Sequence, residues 1–340
     1  MKYFFVNLIL NTFFILPNWF LKVINFPKRE HIRDSYLDRQ SAAFLKLIDV
    51  FGYKVDTENF SKIERLNSNL AKLEISINKK TLKKFATKNI YLNHEDNVFL
   101  KEYIPAEVKS NKAILYFHGG GYVLGSVDTH HNFVSQISTE LGVKIYSLEY
   151  RLAPENKFPD ALDDANEAYK WLTINGFSHK QIILCGDSAG AHLAASLVNH
   201  LDISKKDLPN SQILIYPMIS PTLNFESMEL FEENYLLTKG AMRWFWDQLK
   251  DEENNDFDPR FNLLKQKNVT EFNTKTLVFT AGFDPLSDEG IEYAKHLKGQ
   301  GNEVSHIQYQ NLFHGFVTVT KLREANKATL DIINEIGKKL

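Results

Sequence analysis

The sequence predicts an α/β fold: a mostly parallel sheet flanked by helices on both faces, with a helical cap over one end. Three observations predict it. From Ala113 onward, short apolar runs alternate with helix-length segments, the pattern of successive βαβ units. The run IILCGDSAGAHL, residues 182–193, passes from a strand through Gly186, Asp187, Ser188, Ala189 and Gly190 directly into a helix. Between Pro217 and about Phe272 the alternation stops, and a helical, acidic and aromatic stretch takes its place. An insertion at this point of a doubly wound sheet lies over the C-terminal ends of the strands, where ligands bind.

Residues 30–72 read as helical, from the apolar spacing of HIRDSYLDRQSAAFLKLIDVFG and a second helical stretch near residues 60–73. Residues 89–92 and 98–104 are short strands around a turn, hence a hairpin. Strands follow at 113–117, 144–149, 182–185, 212–216, 276–281 and 304–309. Helices are expected near 131–141 and 160–175, after Ser188, and near 288–299. The expected organisation is a helical segment over residues 1–80 contributing to the cap, then a main domain over 81–340 with the cap insertion at about 218–272.

A chain of 340 residues, 44% apolar and 24% charged, holds one large α/β domain with a sizeable insertion. Its net charge of −2 supplies no basic field, which excludes nucleic acid as a partner. Cys185, the only cysteine, has no internal disulfide partner. It reads as a buried, inert thiol, compatible with the cytoplasm. The N-terminus is less ordinary. No charge falls between Lys2 and Lys22, which is the length of one membrane span of about 20 residues. Asn7, Asn11, Pro17 and Asn18 interrupt that run. Three readings stand: a membrane anchor or interfacial helix, a helix covering the active site, or a cleaved signal. The last is disfavoured because no small-residue cleavage site follows. For a span, Lys22, Lys28, Arg29 and Arg33 would hold the bulk of the chain on the cytoplasmic side.

The glycine-flanked serine has the form of a nucleophile elbow. A sharp strand-to-helix turn strains the serine, lifts its hydroxyl above the sheet, and leaves no room for a Cβ two positions away on either side. A serine hydroxyl needs a base, an acid to orient that base, and donors for an oxyanion. In elbow-type sites the acid and then the base follow the serine in chain order, each on a loop after a strand. Asp284, in Gly282-Phe283-Asp284-Pro285, fits the acid. Asp288 and Glu289 are rivals, but they open the next helix, where carboxylates cap. His314, just past the last strand and beside Gly315, fits the base. His296 sits on a helix and His306 in a strand, while His130 and His131 begin a helix. His192, one turn after Ser188, reads as a structural hydrogen-bonding group. The run His118-Gly119-Gly120-Gly121 after the strand AILYF turns backbone N–H groups toward one point. The N–H of Ala189 adds a donor, and His118 fixes the loop.

The set HGGGYV, EYRLAPENKFPDALDDA, GDSAGAHLAA, AGFDPLSDEG and FHGF resembles the hormone-sensitive-lipase family of α/β-hydrolases, which includes bacterial esterases and arylacetamide deacetylase. Tyr235-Leu236-Leu237-Thr238 and Asp258-Pro259-Arg260 are similar to that family's cap. The resemblance implies an α/β-hydrolase fold, Ser188 as nucleophile, Asp284 as acid and His314 as base. It implies Gly120, Gly121 and Ala189 as oxyanion donors, with Gly119 shaping the loop. Arg151 and Asp163 or Asp164 become scaffold residues. Ala191 and Tyr122 depart mildly from the family pattern. The expected activity is hydrolysis of short- to medium-chain acyl esters, small molecules, without metal or cofactor. An amidase or deacetylase, a lipase docking through the N-terminal segment, and a non-catalytic binding protein are the rivals. Trp244, Phe245 and Trp246, with Phe20 or Trp19, are expected either to wall the substrate site or to form the cap's own core.

Overall fold

Whether a strand is apolar throughout or alternating decides where it lies in this sheet. Every residue of β3 (Ala113–Phe117), β5 (Ile182–Asp187) and β6 (Ser211–Ile215) is buried, as strands covered on both faces must be. By contrast β1 (Phe85–Asn93) and β8 (Val304–Phe313) are largely polar and exposed, and they form the two edges. With β2 (Val98–Pro105), β4 (Lys144–Glu149) and β7 (Lys275–Phe283) they make one sheet in the order β1-β2-β4-β3-β5-β6-β7-β8. β1 and β2 form the hairpin, β2 pairs antiparallel with β4, and every later pairing is parallel. This computed structural model describes residues 2–23, 31–51, 74, 77–81, 83–267 and 274–340.

Alternate residues of each central strand face opposite cores. Leu115, Leu184, Leu214 and Val278 pack with α5 (Asp160–Ile174), α6 (Ala189–Ile203) and α9 (Ser287–Gly299). Ile114, Ile183, Ile213 and Leu277 pack with α3 (Arg39–Phe51), α4 (His131–Leu141) and α10 (Arg323–Gly337). The period of two along a strand therefore builds both layers at once. The terminal helix α10, which strand–helix alternation alone did not anticipate, buries Ala325, Ala328, Ile332, Ile333 and Ile336, a spacing of three and four.

Two expectations at the N-terminus change. Residues 31–36 form a two-stranded ribbon, not a helix, because Arg33 and Asp34 both adopt positive φ at its turn. The helix expected near residues 60–73 lies outside the described residues. The apolar run breaks at Pro17 into α1 (Lys2–Ile15) and α2 (Asn18–Val23). Among the described residues no helix is long and apolar enough to cross a membrane. Leu10, Phe13 and Leu21 are instead buried in the core beneath α3 and the segment after His314. Lys321 donates to Asn11, and Arg323 donates to the Leu16 carbonyl.

Between β6 and β7 the chain forms α7 (Glu226–Leu230) and α8 (Lys239–Leu249), then short 3₁₀ turns at Glu253–Phe257 and Leu263–Lys265. Thr238 caps α8 by accepting the Ala241 N–H. The ribbon holds this insert down: Arg33 bridges Glu226 of α7 and Asp288 of α9, at 2.7 and 2.6 Å.

Candidate active site

β5 ends at Asp187 and α6 begins at Ala189, so Ser188 alone makes the turn, at φ 55° and ψ −119°. A non-glycine residue there is strained by about 1–3 kcal/mol. The surroundings hold it in place: its N–H donates to Ile215 (2.9 Å), and its carbonyl accepts from Ala191 and His192 (3.1 Å each). The flanking glycines follow from how closely the backbones approach. A Cβ at Gly190 would lie 2.0 Å from the Phe117 carbonyl oxygen, and one at Gly186 would lie 2.3 Å from the Gly190 backbone.

The loops after β7 and β8 bring Asp284 and His314 to this serine. Ser188 Oγ is 3.0 Å from His314 Nε2, and His314 Nδ1 is 2.8 Å from Asp284 Oδ2. A carboxylate only accepts, so Nδ1–H donates to Asp284 and Nε2 presents its lone pair to the serine hydroxyl. Asp284 is fully buried, and its Oδ1 accepts the Leu286 N–H at 2.8 Å. Gly315, at φ 80°, turns the chain directly after the histidine.

The loop after β3 runs alongside. Gly120 and Gly121 have φ of 127° and 63°. The N–H groups of Gly120, Gly121 and Ala189 donate to nothing among the described residues. Gly119 donates to Asp187 Oδ1 at 3.0 Å, which ties this loop to the elbow. Asp187 is a buried carboxylate that also accepts from Tyr116 (2.6 Å) and lies 3.3 Å from His130 Nε2. Burial opposes its charge, yet His130 and the hydrogen bonds hold its pKa below the ordinary carboxylate value. Burial likewise opposes charge on His130, and Asp187 outweighs it, raising the imidazole. His118, stacked on Tyr150 at 4.3 Å, is pushed by burial down to about 3 and is neutral.

These groups open onto a cavity of about 230 Å³. Leu236, Leu237 and Phe245 of the insert line it with Ile77 and Leu124, and Glu74, Thr129 and His130 add polar groups. Phe245 seats on the glycine loop so closely that a Cβ at Gly121 would lie 2.3 Å from its ring.

A family model described as an α/β-hydrolase fold matches residues 114–318. The chain belongs to the α/β-hydrolase family. It is 32% identical to an ethyl acetate hydrolase of Pseudomonas putida over 234 residues, which are 67% of this chain and 73% of that protein. It is 34% identical to a carboxylic ester hydrolase of Mycobacterium tuberculosis over 233 residues, 65% of this chain and 61% of that one. Among solved structures, the hyperthermophilic esterase of the archaeon Pyrobaculum calidifontis superposes with a TM-score of 0.80 at 28% identity, covering 89% of this chain and 98% of that one.

In this α/β-hydrolase the rival side chains go elsewhere. Asp288 accepts from Arg33 and Ser227, and Glu289 accepts the Ile219 N–H. His296 faces the Gln266 carbonyl, His306 faces Thr280, and His131 faces Tyr103. His192 donates through Nε2 to the Phe261 carbonyl and accepts at Nδ1 from Tyr122. That bond accounts for a tyrosine at 122. Arg151 forks onto Asp164, and Asp163 takes no part in that pair. Of the bulky residues, Phe245 lines the cavity, while Trp246 packs on Phe261 and Trp19 is exposed. His130 stands at the start of α4, as expected, and its carbonyl accepts the Val134 N–H, but its ring makes no cap and turns to Asp187. Glu74 and Asp187 were missed. Asp187 was legible as a carboxylate beside the serine in a buried strand. No local pattern marks Glu74.

Proposed function

We propose that this chain is a serine carboxylester hydrolase acting on short- to medium-chain acyl esters through Ser188, His314 and Asp284. The observation that supports it is the hydrogen-bonded series Ser188–His314–Asp284, at 3.0 and 2.8 Å, opening onto an apolar cavity. Ser188 Oγ attacks the acyl carbonyl carbon as His314 Nε2 takes its proton. Asp284 keeps the other ring proton on Nδ1 and stabilises the imidazolium. The carbonyl oxygen becomes an oxyanion against the N–H groups of Gly120, Gly121 and Ala189. One such donor contributes about 3 kcal/mol. The N-terminus of α6 adds its dipole. His314 then protonates the departing alcohol, and water, deprotonated by His314, releases the acid and restores Ser188. The insert, through Leu236, Leu237 and Phe245, acts as a cap that closes the cavity and holds the acyl chain.

A cavity of about 230 Å³ is smaller than ordinary drug-sized ligand sites. The expected result with p-nitrophenyl esters from acetate to palmitate is kcat/KM highest at the short end and roughly tenfold or more lower at palmitate. A maximum at palmitate would overturn the short-chain reading, and absence of hydrolysis with every ester would overturn the activity itself.

Glu149, at the end of β4, accepts the Val127 N–H in the loop after the glycines. Burial pushes it from 4.5 up to about 7, only partly offset by that bond. The fold thus prefers the protonated form. As pH rises from 4.5 toward 7 the unfolded chain ionises first, so the wild type loses stability over that window and not below it. Glu149→Gln is expected to raise Tm relative to wild type at pH 8 and leave it unchanged at pH 4. Equal effects at the two values would contradict this.

A further inference from the structure

The cavity beside Ser188 is lined by both apolar and polar residues, and one of the polar ones is an acid whose chemistry the reaction does not use. Glu74 is 4% exposed, and its side chain stands in the wall of the cavity with Thr129 and His130. Ile77, Leu124, Leu236, Leu237 and Phe245 are the cavity's apolar lining residues. Among the described residues, the two carboxylate oxygens of Glu74 each accept one hydrogen bond, from the Asn132 N–H (2.8 Å) and from Asn132 Nδ2 (2.7 Å). A carboxylate offers about four lone-pair sites, so each oxygen retains acceptor capacity.

No lysine, arginine or histidine among the described residues forms an ion pair with Glu74. His130, which also lines the cavity, lies 3.3 Å from Asp187. Among the described residues, the ionisable groups lining the cavity are Glu74, His130, Asp187 and His314. His130 is thus engaged with one of the two cavity carboxylates, Asp187, and Glu74 is the other. Burial pushes the Glu74 carboxyl above its ordinary value, the direction expected of an acid short of positive partners. A buried carboxylate in this condition is relieved by a ligand that brings both a proton donor and a positive charge.

We propose that Glu74 makes its part of the cavity wall a subsite for a protonated amine on the alcohol half of the substrate ester. This rests on the ester-hydrolase reading above and names its substrate class: small acyl esters of amino alcohols. The apolar lining residues take the acyl chain, and the cavity's size keeps the amine within a few atoms of the ester oxygen.

The test compares dimethylaminoethyl acetate, protonated at neutral pH, with isoamyl acetate, which has the same shape and no charge. Initial rates are followed by pH-stat titration. The wild type is expected to favour the amine ester by roughly tenfold or more in kcat/KM, the size of one hydrogen bond between charged partners. Glu74→Gln should bring the two esters level, mostly through KM. Glu74 also anchors the first turn of α4 through Asn132, so Asn132→Ala is the control: it removes one donor and keeps the carboxylate. Preference retained in Asn132→Ala and lost in Glu74→Gln supports the subsite. Equal rates in wild type, preference surviving in Glu74→Gln, or equal loss in both variants overturns it. A wild type that hydrolyses neither ester fails the ester-hydrolase reading instead. Calorimetry with dimethylaminoethanol against isoamyl alcohol then reads the subsite alone, and wild-type binding of the amine that Glu74→Gln abolishes would keep it. No binding would remove it.

Discussion

Ser188→Ala is expected to lower ester hydrolysis by roughly five to six orders of magnitude, with the fold unchanged. The substitution removes one oxygen. Alanine keeps the Cβ, so the strained turn at φ 55° is no worse than before, and the backbone bonds to Ile215 and Met218 do not involve the side chain. On the proposed mechanism, what disappears is the oxygen that forms the acyl-enzyme. The N–H groups of Gly120, Gly121 and Ala189 stay in place, so a residual rate above that of water is expected. Turnover of p-nitrophenyl butyrate measures the loss, and a short-chain phosphonate that labels wild type but not the variant, read by mass spectrometry, locates the bond. A variant retaining a tenth of wild-type turnover would exclude Ser188 as the nucleophile.

Asp284→Asn is expected to cost about 10⁴ in kcat while leaving KM nearly unchanged. The reason is directional. Asp284 Oδ1 accepts the Leu286 N–H and Oδ2 accepts from His314 Nδ1. An asparagine whose oxygen keeps the Leu286 bond turns its NH₂ toward His314. Nδ1 must then accept, the ring proton moves to Nε2, and Nε2 can no longer take the serine proton. Asp288→Asn is the comparison, since that carboxylate faces Arg33 and Ser227. It should leave kcat within about tenfold, as loss of a partly exposed ion pair does. If the two variants reversed these effects, Asp288 would replace Asp284 as the orienting acid.

The surroundings of the triad matter beyond its three members. Asp187, next to the serine, takes the Gly119 N–H, the Tyr116 hydroxyl and the His130 ring, so the elbow and the glycine loop share one buried carboxylate. Both loops that face the substrate are thereby held by one group.

Residues 113–117 and 182–193 could be read directly because their structure is local. Five apolar residues in a row demand burial on both faces, and a serine turn without neighbouring Cβ atoms demands glycine at 186 and 190. Asp284 and His314 were legible for a related reason: chain order and their places just past strands narrow the choice. The contact itself is non-local. His314 meets Ser188 from 126 residues away, and eleven histidines compete for that place until the sheet order brings the ends of β5, β7 and β8 together.

Tertiary structure alone decided three further matters. Adjacent helical residues point about 100° apart, so only the docking of α8 could choose Phe245 for the cavity and turn Trp246 inward to Phe261. The N-terminal run carried the length of a membrane span, but Pro17 and the burial of Leu10, Phe13 and Leu21 made it two short helices on the core. Glu74 lies in a stretch with no motif, and in the cavity wall Asn132 holds its carboxylate from a distant helix. A sequence specifies what its own backbone and burial pattern require. Which distant polar groups face one another is set by the packing of finished elements, and the chemistry of the pocket lies in those pairings.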